Sequence, residues 1–218
     1  MSAQSNPWVS AAADRMGASE PEAAMPPASG PTAPQPGVPA PDTGLPRRSH
    51  LARAAPWWLG VHGGAGESTL AALLPGSLPA EHRWPATHAT GAGEPVVLVA
   101  RTSMYGLQRV QLAATEWASG SVPGIQLLGL VLVADAPGRL PAPLRDLATV
   151  ISGGLPRVWR LPWMEALRLS ADPTAVEAPR PLRRLLDDVR SLLPAAPAAT
   201  AALTEREAPR AHHHAARR

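Results

Sequence analysis

The sequence lacks cysteine and lysine, and it contains no long apolar run. Without cysteine, the chain can form neither a disulfide bond nor a thiolate metal site. No apolar run reaches the roughly 18 uncharged residues that a membrane-spanning helix needs. The N-terminus also shows no basic segment followed by an apolar one, as a secretory signal would. We therefore expect a cytoplasmic protein without a membrane span.

The absence of lysine has a chemical consequence, because all 20 side chains counted as Lys or Arg are arginines. No ammonium group is available to bind a phosphate, so such a contact must come from an arginine or from another chain. The formal net charge of +3 is small. It is too small to predict nucleic-acid binding by itself.

The 27 prolines are unevenly placed and suggest where the folded part begins and ends. Residues 1–54 are rich in Ala, Pro, Ser and Gly and have few large apolar side chains, which predicts a disordered arm. An amphipathic helix is expected within residues 171–194, with leucines on one face. The basic tail 195–218 is expected to be disordered. Its three adjacent histidines cannot set a closed metal geometry, so we predict no metal site.

Apolar runs alternate with helical patterns over residues 55–170. The runs predict strands at 57–61, 95–100, 125–134 and 156–161, the third of them central. The intervening patterns predict helices at 68–74, 104–118 and 141–151, a short helical turn after Pro162, and a loop at 78–94. This alternation predicts a small three-layer α/β domain with a parallel sheet. In such a domain, ligands bind beyond the carboxyl ends of the strands.

A glycine-rich turn joins the first predicted strand to the first predicted helix. Its sequence is His62-Gly63-Gly64-Ala65-Gly66-Glu67-Ser68-Thr69. A strand, a glycine turn and a helix start place backbone N–H groups around an anion-sized space. P-loop NTPases put a lysine directly before the Ser or Thr. Here Glu67 stands at that position, and a carboxylate directed at a triphosphate would repel it.

The turn resembles the deviant Walker A motif of the MinD/ParA group of P-loop proteins, G-K-G-G-x-G-K-[ST]. The matching residues are Gly63, Gly64, Gly66 and Ser68. The differing residues are Val61 for the first Gly, His62 for the signature Lys and Glu67 for the P-loop Lys. Residues 96–103, 127–138 and 158–165 resemble three later segments of that group, the last of which closes the nucleotide pocket. The chain also resembles an uncharacterised family of actinobacterial proteins with the same Trp-Trp, His-Gly-Gly-Ala-Gly and Trp-Arg-Leu-Pro-Trp arrangement.

The resemblance implies a P-loop NTPase-like domain with a reduced number of strands. Between the P-loop helix and the next matching strand, the MinD/ParA group has further strands that carry its switch residues and its Walker B aspartate. Only residues 78–94 are available there, fewer than the ~30 that a strand–helix–strand unit needs. We therefore expect no catalytic residues and no hydrolysis, because phosphoryl transfer depends on positioning and charge stabilisation.

The predicted site follows from the same resemblance. The degenerate phosphate loop comprises Gly63, Gly64, Ala65, Gly66, Glu67, Ser68 and Thr69, while Asp135 and Pro162 are candidates for the side of the pocket that faces the base. ATP or GTP would bind weakly or not at all. A structural interpretation stays open, in which the glycines only make a tight strand-to-helix turn.

The sequence predicts a non-catalytic binding or scaffolding protein with an unidentified protein partner or with self-association. One alternative is an ATPase completed in trans, or by Arg101 or Arg139 of the neighbouring loops. Another is a DNA-associated accessory protein of a mobile or partition-like system, which would use the basic tail 195–218.

Overall fold

A computed structural model of the chain describes residues 28–51, 55–87 and 93–193. Its strands in chain order are β1 (Arg47–Ser49), β2 (Trp57–Gly60), β3 (Leu78–Pro79), β4 (Trp84–Ala86), β5 (Glu94–Arg101), β6 (Ile125–Val133) and β7 (Val158–Leu161). Its α-helices are α1 (Glu67–Leu73), α2 (Met104–Ala118), α3 (Ala142–Gly153), α4 (Glu165–Leu169) and α5 (Arg180–Leu192). Each strand and helix predicted between 57 and 168 is present within a few residues of its expected bounds.

Five strands form the main sheet in the order β3-β2-β5-β6-β7, and every neighbouring pair is parallel. The middle strand is β5, so the prediction that the 125–134 run is central is wrong by one position. In the sheet, β3 lies on one side of β2 and β5 lies on its other side. The sheet therefore has a topological switch point between the carboxyl ends of β2 and β5, where such folds bind ligands.

Helices cover both faces of this sheet. Successive residues of a strand point to opposite faces, so a strand with a continuous apolar run presents apolar side chains on both. Leu107, Val110 and Trp117 of α2 pack with Leu59 and Leu98 on one face, and α3 joins them through Ala148 and Ile151. On the other face, α1 and α5 pack on the alternate residues Trp58, Val97 and Val99. The predicted three-layer α/β domain is confirmed, and α5 is the expected amphipathic helix.

Residues 78–94, which were predicted to be a loop, contain two short strands. β3 pairs with β2 at the edge of the main sheet, and β4 pairs with β1 in a separate two-stranded parallel sheet. Pro79 and Pro85 lie within these strands, and a proline in a sequence disfavours the prediction of a strand. Edge strands tolerate proline because its missing N–H faces away from the ladder.

The disordered arm expected over residues 1–54 differs from the structure at residues 28–51, a mostly exposed segment that is hydrogen-bonded to the domain at several points. Leu45 is buried, and the amide of Gln35 donates a hydrogen bond to the carbonyl of Ala118. The amide of Leu45 donates to the Glu116 carboxylate of α2 at 2.9 Å. Composition could not reveal this order, since the partners lie far along the chain. Residues 1–27 and the expected tail 195–218 lie outside the described residues.

Three buried carboxylates each accept a hydrogen bond from a tryptophan indole N–H. The pairs are Trp57 with Glu94 at 3.1 Å, Trp84 with Glu116 at 2.8 Å and Trp159 with Asp188 at 2.9 Å. Each bond joins two different elements and pairs a charge that would be costly to bury alone. These pairs stabilise the packing of the elements around the sheet.

Candidate functional site at the switch point

The glycine-rich turn lies at the switch point, between β2 and α1. Gly64 and Gly66 have φ values of 73° and 110°, in the left-handed region that favours glycine. Ala65 is buried in the core, while Gly63, Gly64 and Ser68 are exposed. The backbone of the turn is therefore exposed to solvent, while the Ala65 methyl group packs in the core.

The Glu67 side chain is buried and bonded to the protein. Its Oε2 accepts from the Gly60 amide at 2.7 Å, and its Oε1 lies 3.2 Å from His82 Nδ1. A Cβ atom at Gly60 would lie 3.1 Å from the same Oε2, so glycine there lets the carboxylate approach β2. The sequence places Glu67 in the degenerate phosphate loop, and in the structure its carboxylate links α1 to β2.

His82 completes this contact from an unusual backbone conformation. Its φ is 60° and that of Glu81 is 52°, and no glycine stands at either position. His82 Nδ1 lies 2.9 Å from the Gly60 carbonyl as well as beside the Glu67 carboxylate. Both neighbours are acceptors, so Nδ1 carries the proton. Sequence reasoning missed His82, since nothing in the 78–94 segment indicated its approach.

Arg101 holds the glycine turn from the end of β5. Its Nε donates to the Gly64 carbonyl at 3.2 Å and its guanidinium NH1 donates to the Ala134 carbonyl at 3.0 Å. Its backbone amide donates to His62 Nε2 at 3.1 Å. Burial lowers the pKa of Arg101, the nearby Arg168 lowers it further, and Asp135 opposes both effects. This arginine links the loops that follow β2, β5 and β6.

A small cavity of about 60 Å³ opens beside the turn, on the face that α1 and α5 cover. Two arginines line it, Arg101 and Arg168, together with Gly66 and Thr69. The remaining lining is apolar and consists of Leu70, Val133, Leu161, Met164, Leu167 and Leu182. The cavity therefore joins a basic side to an apolar wall.

A larger cavity of about 320 Å³ lies at the same edge, next to the N-terminal ends of α2 and α3. It is lined by Thr102, Ser103, Met104, Leu144 and the loop 134–141. Ser103 caps α2 by accepting from the Gly106 amide at 3.2 Å. No residue of the glycine turn lines this cavity.

The structure does not gather the predicted nucleotide-site residues into one cavity. Gly66 and Thr69 line the small cavity, whereas Asp135 lines the large one. Pro162 lines neither cavity and is exposed. Within the described ranges, no group of three or more His, Asp or Glu side chains could hold a metal ion. No helix in the described part of the chain is long and apolar enough to span a bilayer.

Comparison with known proteins identifies a family. The profile described as "Family of unknown function (DUF6668)" matches residues 54–185, which is more than half of the chain. The chain belongs to this family. The DUF6668 match begins just before β2 and ends within α5, so it contains the glycine turn, Arg101 and Arg168. No curated protein and no solved structure matches the chain.

Proposed function

We propose that this DUF6668 protein is a non-hydrolysing binding or scaffolding protein whose P-loop-like turn, related to that of the MinD/ParA group, has a degenerate nucleotide pocket. It would act in the cytoplasm through a protein partner or by self-association. The proposal concerns the switch point between β2 and β5, where the described loops and arginines converge.

The Glu67 carboxylate is the observation that carries this proposal. At the position where a P-loop has its phosphate-binding lysine, the chain has a buried carboxylate bonded to Gly60 and beside His82. Phosphoryl transfer requires positively charged groups beside the negatively charged oxygens of the transferred phosphoryl group. Removing one such stabilising contact typically costs about 10²–10³-fold in rate. A site that replaces the charge with a structural link is not suited to cleave a triphosphate.

The dimensions of the site support the same conclusion. Sites for drug-sized ligands and cofactors occupy about 300–1,000 Å³, whereas the cavity beside the glycine turn measures about 60 Å³. The larger cavity is not lined by the turn, so a base bound there would have no phosphate loop beside it. In the part of the chain that the structure describes, these two cavities do not form one pocket for a whole nucleoside triphosphate.

The test is a titration of the full chain with ATP and GTP, with and without Mg²⁺, read by thermal shift and by phosphate release. We expect no phosphate release above that of the buffer and at most a small shift in Tm. Ser68→Ala is the matched variant, because Ser68 is exposed at the position of the P-loop hydroxyl. Hydrolysis by the natural chain that Ser68→Ala abolishes would overturn the proposal.

The two alternatives give different results. An ATPase completed by Arg101 would hydrolyse ATP and lose activity on Arg101→Gln, although two of the donors of Arg101 already bind carbonyls of neighbouring loops. A DNA-associated accessory protein would bind DNA in a salt-dependent way and lose binding when 195–218 is deleted. That segment lies outside the described residues.

A further inference from the structure

Two arginines face the same small cavity from different elements. Arg101 ends β5, and Arg168 lies in α4. The Arg168 guanidinium carbon lies 5.0 Å from the centroid of the Trp163 ring, a cation–π contact that positions it. Arg101 is positioned by its bonds to the Gly64 and Ala134 carbonyls. Both charges are thus held in place before any ligand arrives.

Neither guanidinium is neutralised within the described ranges. No carboxylate there lies within 4.0 Å of a nitrogen of Arg101 or Arg168, although other arginines form such pairs. Asp135 is near enough to act on the charge of Arg101 but forms no ion pair with it. Two positive charges facing one space repel each other unless an anion lies between them. Arg101 binds two carbonyl oxygens and Arg168 lies over a neutral ring, so both positive charges stay available.

The chemistry of the lining favours an oxyanion. The planar guanidinium group matches the geometry of phosphate and carboxylate oxygens, and charge-assisted hydrogen bonds of this kind are strong. A space of about 60 Å³ has room for roughly four water-sized groups. That is the size of one phosphate group and far below that of a nucleotide. The apolar lining lowers the local dielectric on one side of the cavity and strengthens the attraction there.

We propose that this cavity is a phosphate-group site, in which Arg101 and Arg168 hold the oxyanion and the Thr69 hydroxyl donates a further hydrogen bond. The ligand is either free inorganic phosphate or the phosphate of a small monoester, whose organic part would extend out of the cavity. The proposal deepens the proposed function and rests on it, since it names the ligand class of a site that does not cleave triphosphates.

The experiment measures phosphate binding to the full chain by calorimetry at low ionic strength. The probes are inorganic phosphate and glycerol phosphate, with acetate and chloride as comparison anions. We expect saturable binding of at least one phosphate probe, weaker binding of acetate and none of chloride. Acetate binding as tight as that of the phosphate probes would overturn the assignment to phosphate. Tighter binding of glycerol phosphate would indicate that the natural ligand is a monoester, and tighter binding of inorganic phosphate would indicate the free ion. Saturable binding of neither probe would overturn the proposal.

Arg168→Gln is the decisive variant, because Arg168 is exposed and its loss should leave the fold intact. We expect it to weaken phosphate binding about 10- to 100-fold, as for the loss of a charge-assisted hydrogen bond. Arg139→Gln is the matched control, because it removes the same charge at the same sheet edge from the larger cavity. An equal loss in both variants would mean general surface attraction and would overturn the site.

The proposed function and the phosphate site can be refuted separately. A chain that hydrolyses ATP would overturn the proposed function whatever its affinity for phosphate. A chain that neither hydrolyses ATP nor binds phosphate would overturn only the site at Arg101 and Arg168. Arg168→Lys gives a further check, since an ammonium keeps the charge but loses the planar fork. We expect it to recover only part of the affinity.

Discussion

The Glu67 carboxylate accepts a hydrogen bond from the Gly60 amide at 2.7 Å, so the first residue of α1 is bonded to the last residue of β2. The bond joins the two ends of the glycine turn. It also explains why an acidic residue can stand at the start of α1, because its carboxylate accepts from the Gly60 amide and lies beside His82.

Changing Glu67 should therefore affect folding. We expect Glu67→Ala to lower the free energy of unfolding by about 1.5–3 kcal/mol, because the buried Gly60 amide loses a charged acceptor. Glu67→Gln keeps one acceptor oxygen and should cost less. Glu67→Lys should destabilise the chain and leave ATP binding unrestored. Urea denaturation of each variant measures these differences.

Glu177→Ala is the control for the Glu67 series, because the Glu177 side chain is 95% exposed. Its free energy of unfolding should stay within about 0.5 kcal/mol of the unchanged chain. Tight ATP binding by Glu67→Lys would contradict our account of this position.

Glu116 should hold the segment before β2 on the domain. Its Oε2 accepts from both the Leu45 amide and the Trp84 indole, and the residue is buried. We expect Glu116→Ala to cost about 2–3 kcal/mol, since two buried donors lose their partner, and to increase hydrogen exchange at Leu45. Arg47→Gln, which removes only a half-exposed ion pair with Glu116, should cost under about 1 kcal/mol. Equal exchange at Leu45 in the two variants would refute this role.

Gly129 of β6 is required by the close approach of β7. A Cβ atom there would lie 2.6 Å from the Arg157 carbonyl oxygen and 2.7 Å from the Trp159 ring. We expect Gly129→Ala to lower the free energy of unfolding by about 1–3 kcal/mol, because the strands must move apart. A Cβ at Gly153 of α3 would meet no atom within 4 Å, so Gly153→Ala should be neutral or slightly stabilising. Thermal denaturation of both variants tests the contrast.

Asp172 should titrate below its ordinary pKa of 3.8, because the Thr174 hydroxyl and then the Thr174 amide donate to its carboxylate. The charged form is favoured in the folded chain. Its contribution to stability is therefore present above pH 3.8 and is lost as the pH falls through the lowered value. Carboxyl NMR should show this pKa move back up in Thr174→Val and stay low in Thr174→Ser. An unchanged pKa in Thr174→Val would contradict the assigned cause.

The sequence predicts the main sheet well because its inner strands are covered on both faces. Such strands appear as continuous apolar runs, as at Val96–Ala100. Helix α2 has the predicted bounds, since Ser103 is a good N-cap and Gly120 follows its end. These signals are local, and local patterns are what one sequence displays directly.

The features that a sequence displays less well depend on distant partners. Strands β3 and β4 have two and three residues, too few for any periodicity. The direction of the Glu67 side chain depends on His82, whose position depends on left-handed backbone at two non-glycine residues. The P-loop-like site was predicted from residue types alone. Whether Arg101 and Arg168 face one cavity could be read only from the fold.

The contact between Trp159 and Asp188 has a practical meaning for anyone who shortens this chain. A fragment cut to 54–185 would remove Asp188 and Val189 from α5, and with them the acceptor of a buried indole. It would also remove Leu45, leaving Glu116 with one donor fewer. The packed structure extends beyond residues 54–185 on both sides, so we expect a fragment of residues 28–193 to be more soluble on expression than a fragment of residues 54–185.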